Sequence, residues 1–194
     1  MPRIVETIVT TIDAAGTPHL APLGLIEDGD LWIIAPFRPS RTLDNLLANP
    51  HAVASHTGDV RVFAGCITGR RDWPTVPADV VPGVRLQDAV SHWELSVVRM
   101  SDDAQRPRFH CRIVHAASHA VWSGYNRAEA AVLELAVLAT RLSMLPPEKI
   151  DAELQYLEIA ISKTAGPRER EAWDWLMERI TAFRRGDADA AQKR

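Results

Sequence analysis

The spacing of apolar residues changes once along this chain, near residue 123, and this change constrains the possible fold more than any other feature. Before it, short runs rich in Ile, Val and Thr are separated by turn residues, a pattern typical of antiparallel strands. After it, apolar residues recur every three or four positions, as they do along amphipathic helices. Because strands and helices are segregated, we predict an α+β fold with a domain at 1–122, a three-helix extension at 123–186 and a flexible tail at 187–194.

The first part of the chain is predicted to form a barrel-like sheet of six or seven strands. Its first three strands are joined by short turns at residues 14–16 and 28–29, which indicates an antiparallel meander. A proline-rich stretch at 72–83 is predicted to be an exposed loop. The predicted strands cover residues 3–13, 19–27, 31–37, 52–57, 60–67, 89–100 and 108–122.

One helix is predicted within the strand-rich part. Leu43, Leu46 and Leu47 have helical spacing. Ser40 is a suitable N-cap, and Asn49 followed by proline ends the helix.

The start of this helix is the strongest candidate for a binding site. Free N–H groups and the positive end of the helix dipole attract anions at such a position. Arginine and hydroxyl side chains add donors with the geometry that a phosphate group favours. The side chains concerned are Arg38, Ser40, Arg41 and Thr42. The alternative is an ordinary capped helix with solvated arginines.

Three helices are predicted after residue 123. Asn126, with Glu129 three residues later, resembles a capping box. Pro147 suits the first turn of the second helix, and Gly186 ends the third. Arg141 falls inside the first apolar stripe, which predicts a buried guanidinium with an acidic partner. The stripes are Val132, Leu135, Leu138 and Leu142; Ile150, Leu154, Leu157 and Ile161; and Trp173, Leu176, Ile180 and Phe183.

The composition excludes several classes of function. Lys and Arg total 22 against 25 Asp and Glu, so the formal net charge is −3 and nucleic acid is not an expected partner. No apolar run approaches the ~20 residues of a membrane span, and the N-terminal residues lack the plan of a signal peptide. Two cysteines without Cys-x-x-Cys spacing indicate reduced thiols, so we expect a cytoplasmic protein.

Motifs for covalent or metal-dependent catalysis are missing from the sequence. It has no strand–glycine-loop–helix signature, nucleophile elbow or His-Glu-x-x-His, so no catalytic residue is predicted. His110, His115 and His119 fall on or beside one predicted strand, and the first two point to opposite faces. Because zinc prefers tighter ligand sets, we predict no metal site and interpret these histidines as surface or interface residues, with a haem ligand left open.

Several runs, taken in order, resemble a known family. They are residues 6–11 (ETIVTT), 18–24 (PHLAPLG), 36–46 (PFRPSRTLDNL), 56–64 (HTGDVRVFA), 125–128 (YNRA) and 139–142 (ATRL). The chain resembles the split-barrel flavoproteins related to flavoredoxin, and more narrowly the domain-of-unknown-function family 447 of archaea and methylotrophic bacteria. This resemblance implies a homodimeric split β-barrel that binds FMN near the subunit interface, followed by a small helical extension.

The resemblance also implies which residues contact the cofactor. The FMN phosphate would meet the helix start and Asn45, while threonines on the first strand and polar residues after the strand at 52–57 would approach the ribityl chain or the ring edge. The residues implied are Ser40, Arg41, Thr42 and Asn45 for the phosphate, and Thr10, Thr11, Thr57 and Asp59 for the rest, and Arg38 beside the helix start is a further candidate cofactor contact. Asn126 and Arg127 could also reach the cofactor, or serve only as a helix cap and a surface arginine. The chain departs from the family pattern at Ser55 and His56.

The function implied by the resemblance is that of an FMN-dependent reductase. Such a protein takes hydride from a reduced nicotinamide or a partner reductase and passes it to a small molecule, with the family's distribution pointing to pterin-linked one-carbon metabolism. One alternative is a flavin-binding carrier or sensor without turnover. A further alternative is an oligomeric scaffold whose barrel holds no ligand.

Overall fold

The computed structural model describes residues 1–187, which form eight strands and five helices. The strands are β1 (Ile4–Ile12), β2 (Pro18–Asp28), β3 (Leu31–Ile34), β4 (His51–His56), β5 (Thr75–Pro77), β6 (Val84–Leu86), β7 (Ser91–Ser101) and β8 (Arg108–Ser118). The helices are α1 (Arg41–Ala48), α2 (Arg61–Thr68), α3 (Arg127–Ala139), α4 (Pro147–Thr164) and α5 (Pro167–Arg185). The chain divides into two compact units, the first made of residues 1–57 and 73–122, the second of residues 58–72 and those from 123 onward.

Six strands of the first unit close into an antiparallel barrel in the order β1-β2-β3-β8-β7-β4. Alternate residues of these strands point inward and form one hydrophobic cluster. Leu95, Phe109 and Ile34 are among its fully buried members. Strands β5 and β6 pair separately as a two-stranded sheet. The predicted α+β class is confirmed, and the barrel has six strands where six or seven were predicted.

The outer face of β1, β4 and β7 is also buried. Thr10 lies opposite Val53, and Val53 lies opposite Glu94, so the three share this face. The Leu86 N–H on β6 donates to the Ser55 hydroxyl on β4 at 3.1 Å. Strand β6 therefore lies over the outside of the barrel here.

Helix α1 begins and ends as the sequence predicts. The Ser40 hydroxyl accepts a hydrogen bond from the Leu43 N–H at 3.3 Å, and Asn49 is the C-cap. Leu43 and Leu46 join the hydrophobic cluster of the barrel. Leu47, predicted to share their face, is 59% exposed.

The second unit is built on the three predicted helices. Every residue of the predicted stripes is buried except Phe183, which is half-buried. Asn126 caps α3, and Gly186 ends α5 with a φ of 77°. The prediction for Arg141 is wrong: α3 ends at Ala139, and the Arg141 side chain is exposed. No helix within residues 1–187 combines the length and apolar character needed to cross a membrane.

The segment predicted as a strand at 60–67 is instead helix α2. Val60 and Ala64, four residues apart, pack into the hydrophobic cluster of the second unit. Gly69, with a φ of 91°, ends the helix in the left-handed region. Packing at helical spacing has therefore overridden the β propensity of the valines. The predicted loop at 72–83 contains β5, and the predicted tail lies outside the described residues beyond Asp187.

Candidate functional site

The start of α1 has the groups expected of an anion site. The first main-chain bond of the helix runs from the Asp44 N–H to the Ser40 carbonyl at 3.1 Å. Helix geometry leaves the N–H groups of Arg41 and Thr42 without an intrahelical acceptor. The Arg41 side chain is exposed, whereas Thr42 is 2% exposed. Two N–H groups and one guanidinium therefore lie within one turn of helix.

Arg38 has a partner elsewhere. Its Nη2 forms an ion pair with Asp102 Oδ1 at 3.1 Å, and its backbone N–H donates to the Gln105 carbonyl at 2.8 Å. The structure thus ties Arg38 to the turn between β7 and β8. Its side chain is half-exposed, so the ion pair is weak and open to exchange.

Asn45 and Thr11 are brought together by the packing of α1 on β1. The Asn45 Nδ2 donates to the Thr11 Oγ1 at 3.0 Å, and both residues are buried. Asn45 therefore holds the helix against the barrel, a role that sequence spacing does not reveal.

Thr10 points to the opposite face of β1 from Thr11, because successive residues of a strand alternate. Its Oγ1 is buried and has no hydrogen-bond partner within the structure. A buried hydroxyl left unpaired costs about 1–3 kcal/mol, so this atom is suited to a ligand or a water molecule. Thr57, at the end of β4, is half-buried.

Asp59 belongs to the second unit and is paired there. Its Oδ2 lies 2.6 Å from Arg61 Nη2 and 4.0 Å from Arg168 Nη1. Burial acts to raise the pKa of the Asp59 carboxyl, but the hydrogen bonds and charge of Arg61 outweigh it and hold that pKa below its usual range. Asp59 is therefore a paired, ionised carboxylate at neutral pH.

Asn126 uses both ends of its amide within the second unit. Its Oδ1 accepts from the Ala128 N–H at 2.7 Å, and its Nδ2 donates to the Thr164 carbonyl at 3.3 Å. Arg127 is exposed. This geometry favours the alternative of a helix cap followed by a surface arginine. Glu129 is the expected partner of a capping box. Its Oε1 instead lies close to Gly58, 3.4 Å from the point that a Cβ atom would occupy there.

His56 is a polar residue of the barrel whose surroundings the sequence did not indicate. Its Nδ1 lies 3.1 Å from the Ser91 hydroxyl, and its ring meets the Trp93 ring edge-on at 4.6 Å between centroids. The His56 Nε2 is buried without a hydrogen-bond partner in the structure. Burial lowers the pKa of His56, so the imidazole is neutral at pH 7. Ser55, its neighbour, is committed to the Leu86 N–H.

The three histidines singled out in the sequence fall into two places: His110 lies apart from the other two. His110 Nδ1 lies 2.9 Å from Asp28 Oδ2. His115 and His119 both lie beside His92 of β7, with ring centroids 5.7 and 5.1 Å from that of His92.

The barrel is similar to those of split-barrel flavoproteins, which defines its structural class. A 2-nitrobenzoate 2-nitroreductase from Pseudomonas fluorescens matches with a TM-score of 0.52 at 19% identity, over 61% of this chain and 66% of that one. A flavoredoxin from Methanosarcina acetivorans matches with a TM-score of 0.50 at 14% identity, over 61% and 69%.

The likeness extends to the second unit in one solved structure. An FMN-bound protein from Methanosarcina mazei has a TM-score of 0.77 at 22% identity, over 92% of this chain and 95% of that one. The family model "Protein of unknown function (DUF447) N-terminal domain" matches residues 5–120, and "Protein of unknown function (DUF447)" matches residues 126–178. The chain therefore belongs to the DUF447 family, and the resemblance seen in its sequence is confirmed.

Proposed function

We propose that this protein binds FMN through the start of α1 and acts as a flavin-dependent reductase. The observation that carries the proposal is the set of donors at that helix start, the N–H groups of Arg41 and Thr42 with the Arg41 guanidinium, on a split barrel. A phosphate monoester is the anion that such donors suit. Further support comes from the family relative of Methanosarcina mazei, which is FMN-bound.

The residues present fit this cofactor in two further respects. The unpaired, buried hydroxyl of Thr10 is a polar atom in need of a partner. The neutral, unpaired Nε2 of His56 is another. We assign the phosphate to the first turn of α1 with Ser40 as its cap, and we assign to Asn45 the positioning of that turn through Thr11. Among the other predicted contacts, Arg38 and Thr57 of the first unit stay proposals for further contacts with the cofactor, whereas Asp59 and Asn126 are engaged within the second unit and Arg127 is exposed there.

The chain's own contribution is binding and orientation. FMN, when bound, would supply the chemistry of hydride transfer between a reduced nicotinamide and a small-molecule acceptor. The Arg41 guanidinium would neutralise phosphate charge and anchor one end of the cofactor, so that the other end takes a fixed position. A pterin carrier of one-carbon units is the acceptor class we propose from the family resemblance.

The binding claim is tested by titrating the purified protein with FMN and following flavin fluorescence. Loss of a charge-assisted contact worth about 1.5–3 kcal/mol should weaken the affinity of R41A by roughly 10- to 150-fold. The matched control is R3A, which removes another exposed arginine of the same unit. Equal affinities of R41A, R3A and the parent would remove the assignment.

Turnover is tested separately, on the FMN-loaded protein without oxygen. Addition of reduced nicotinamide should bleach the flavin absorbance, and addition of a hydride acceptor, tested with oxidised pterins, should restore it. A protein that binds FMN but keeps its colour with both NADH and NADPH favours the carrier or sensor alternative. A protein that binds no FMN overturns both.

We further propose that the protein is a cytoplasmic homodimer. Large apolar side chains of the first unit lie exposed, among them Phe37 at 53% and Val98 at 47%. A second copy covering them would remove apolar surface from water. Light scattering should give a mass of twice the 21.5 kDa of the chain, and a mass of one chain would contradict the dimer.

A further inference from the structure

Four side chains that could ligate a metal converge on the outer face of the barrel, in a group we term the His–carboxylate cluster. Its members are Asp79, His92, Glu94 and His115. One ligand atom from each lies within 4.8 Å of all the others. Imidazole nitrogens and carboxylate oxygens are the ligands that zinc and neighbouring divalent transition metals accept, whereas magnesium and calcium prefer oxygen alone.

The barrel strands place three of these ligands. His92 and Glu94 are two apart on β7, so their side chains leave the same face of the sheet. His115 on β8 is the register partner of Glu94. The ladder shifts register directly after Glu94, and such a bulge re-aims a neighbouring side chain.

The fourth ligand comes from the segment between β5 and β6, and Glu94 fixes that segment. The Glu94 Oε1 accepts a hydrogen bond from the Asp79 N–H at 2.6 Å. The Glu94 Oε2 accepts hydrogen bonds from the N–H groups of Val80 and Val81 at 2.8 and 2.6 Å. Each carboxylate oxygen has two lone pairs, so these bonds leave Oε1 able to bind a cation. The Asp79 carboxylate is thereby held over the two histidines before any ion arrives.

Three separations between ligand atoms are close to those of a tetrahedral site. Ligand bonds of about 2.0–2.2 Å to zinc put neighbouring ligand atoms about 3.3–3.6 Å apart. His92 Nε2 lies 3.1 Å from Glu94 Oε1 and 3.5 Å from Asp79 Oδ2. His115 Nε2 lies 3.2 Å from the same Asp79 oxygen.

Charge and supporting contacts agree with this geometry. In the forms that bind a metal, two carboxylates and two neutral imidazoles would carry a charge of −2, which one divalent ion balances. If His92 binds the metal through Nε2, its ring proton is on Nδ1. The His92 Nδ1 lies 2.9 Å from His119 Nε2. Metal-bound histidines characteristically donate their second ring N–H to such an acceptor. His92 and Glu94 are fully buried, while His115 and Asp79 are partly open to solvent and leave an entry path.

We propose that the His–carboxylate cluster binds one divalent transition-metal ion, with zinc the best match. Four protein ligands make a closed site, so its role is structural: the ion would pin the β5–β6 segment to the outside of the barrel. This proposal does not depend on FMN.

The test uses the full-length, tag-free protein, stripped with a chelator and then offered zinc. Elemental analysis after dialysis should find close to one zinc per chain. Cobalt offered instead should give the intense visible bands of a tetrahedral ion. H115A and D79A change the two partly exposed ligands, so they should keep the parental circular dichroism while losing both signals. H51Q, a half-buried histidine on β4 outside the cluster, is the matched control and should retain them.

Two results would overturn the proposal. One is a stripped protein that takes up no stoichiometric zinc or cobalt. The other is uptake by H115A and D79A equal to that of the parent and H51Q. Should either variant fail to fold, H115Q and D79N keep the side-chain volume and supply the same comparison.

Discussion

Asn45 on α1 and Thr11 on β1 form a buried hydrogen bond. Replacing these two residues tests whether Asn45 holds α1 against the barrel or contacts FMN. The Asn45 amide donates to the Thr11 hydroxyl at 3.0 Å, and the two residues are 3% and 2% exposed. At this depth, neither group regains a bond to water when its partner is removed. The experiment is a double-mutant cycle with T11V, N45L and the double variant.

The expected size of the effect follows from burial. Each single variant leaves one buried polar group unpaired, which lowers the free energy of unfolding by about 1–3 kcal/mol. At about 2–4 °C per kcal/mol for a chain of this length, each melting temperature should fall by roughly 2–12 °C. The double variant replaces both partners by apolar groups of similar shape, an exchange that is close to neutral. Its melting temperature should therefore lie near the parent's, with a coupling energy equal in size to the two single losses together, about 2–6 kcal/mol.

Melting is followed by circular dichroism, and FMN titration is performed on the same four proteins. Because the Asn45 amide is engaged by Thr11, the double variant should bind FMN as the parent does. If the double variant loses as much stability as the two single variants together, the hydrogen bond between Asn45 and Thr11 does not contribute to stability as expected. Weak FMN binding by N45L and the double variant, with parental binding by T11V, would show that Asn45 contacts the phosphate instead.

Two further predictions concern titratable groups. Burial, followed by repulsion from Glu169 and Asp59, raises the pKa of Glu129 above its usual 4.5, so the folded protein loses stability as the pH rises past that value. E129Q should therefore be more stable than the parent toward urea at pH 7, with an advantage that disappears below pH 4.5; an equal gain at both pH values would contradict this reasoning. Burial raises the pKa of the Cys66 thiol to about 11 and that of Cys111 to about 12, so a thiol reagent at neutral pH should label neither until the protein is unfolded. Rapid labelling of the native protein would contradict the burial of these thiols.

The buried faces and the capped ends of single helices could be predicted from the sequence, because they depend on residues only a few positions apart. Leu135, Leu154 and Leu176 are buried as predicted. The N-cap Ser40 and the terminal Gly186 are also where the sequence places them. The prediction for Arg141 is wrong because an apolar spacing that continues past the last helical turn looks the same as one within the helix. A stripe shows which residues face inward but does not show where a helix ends.

Contacts between segments that are distant in the sequence could not be predicted from it. The valines of 60–67 predict a strand, and only the packing of Val60 and Ala64 among the helices makes this segment α2. The histidines on β8 indicated no metal site, because the sequence does not state which strand lies beside β8 or in what register. Pairing with β7 brings His92 and Glu94 beside His115, and Asp79 completes the cluster. The cluster is a product of topology rather than of spacing.

The alternation of a strand also limits how many of the implied FMN contacts can serve one cofactor. Thr10 and Thr11 are adjacent on β1, so their side chains leave opposite faces of the barrel wall. Thr11 faces the interior with Val9 and is occupied by Asn45. Only Thr10, on the outer face, has a buried hydroxyl without a partner. A flavin that contacted both side chains would have to pass through the sheet. A cofactor on the outside of the barrel can therefore contact Thr10 directly. Thr11 can act on it only through helix α1, which Asn45 holds in place.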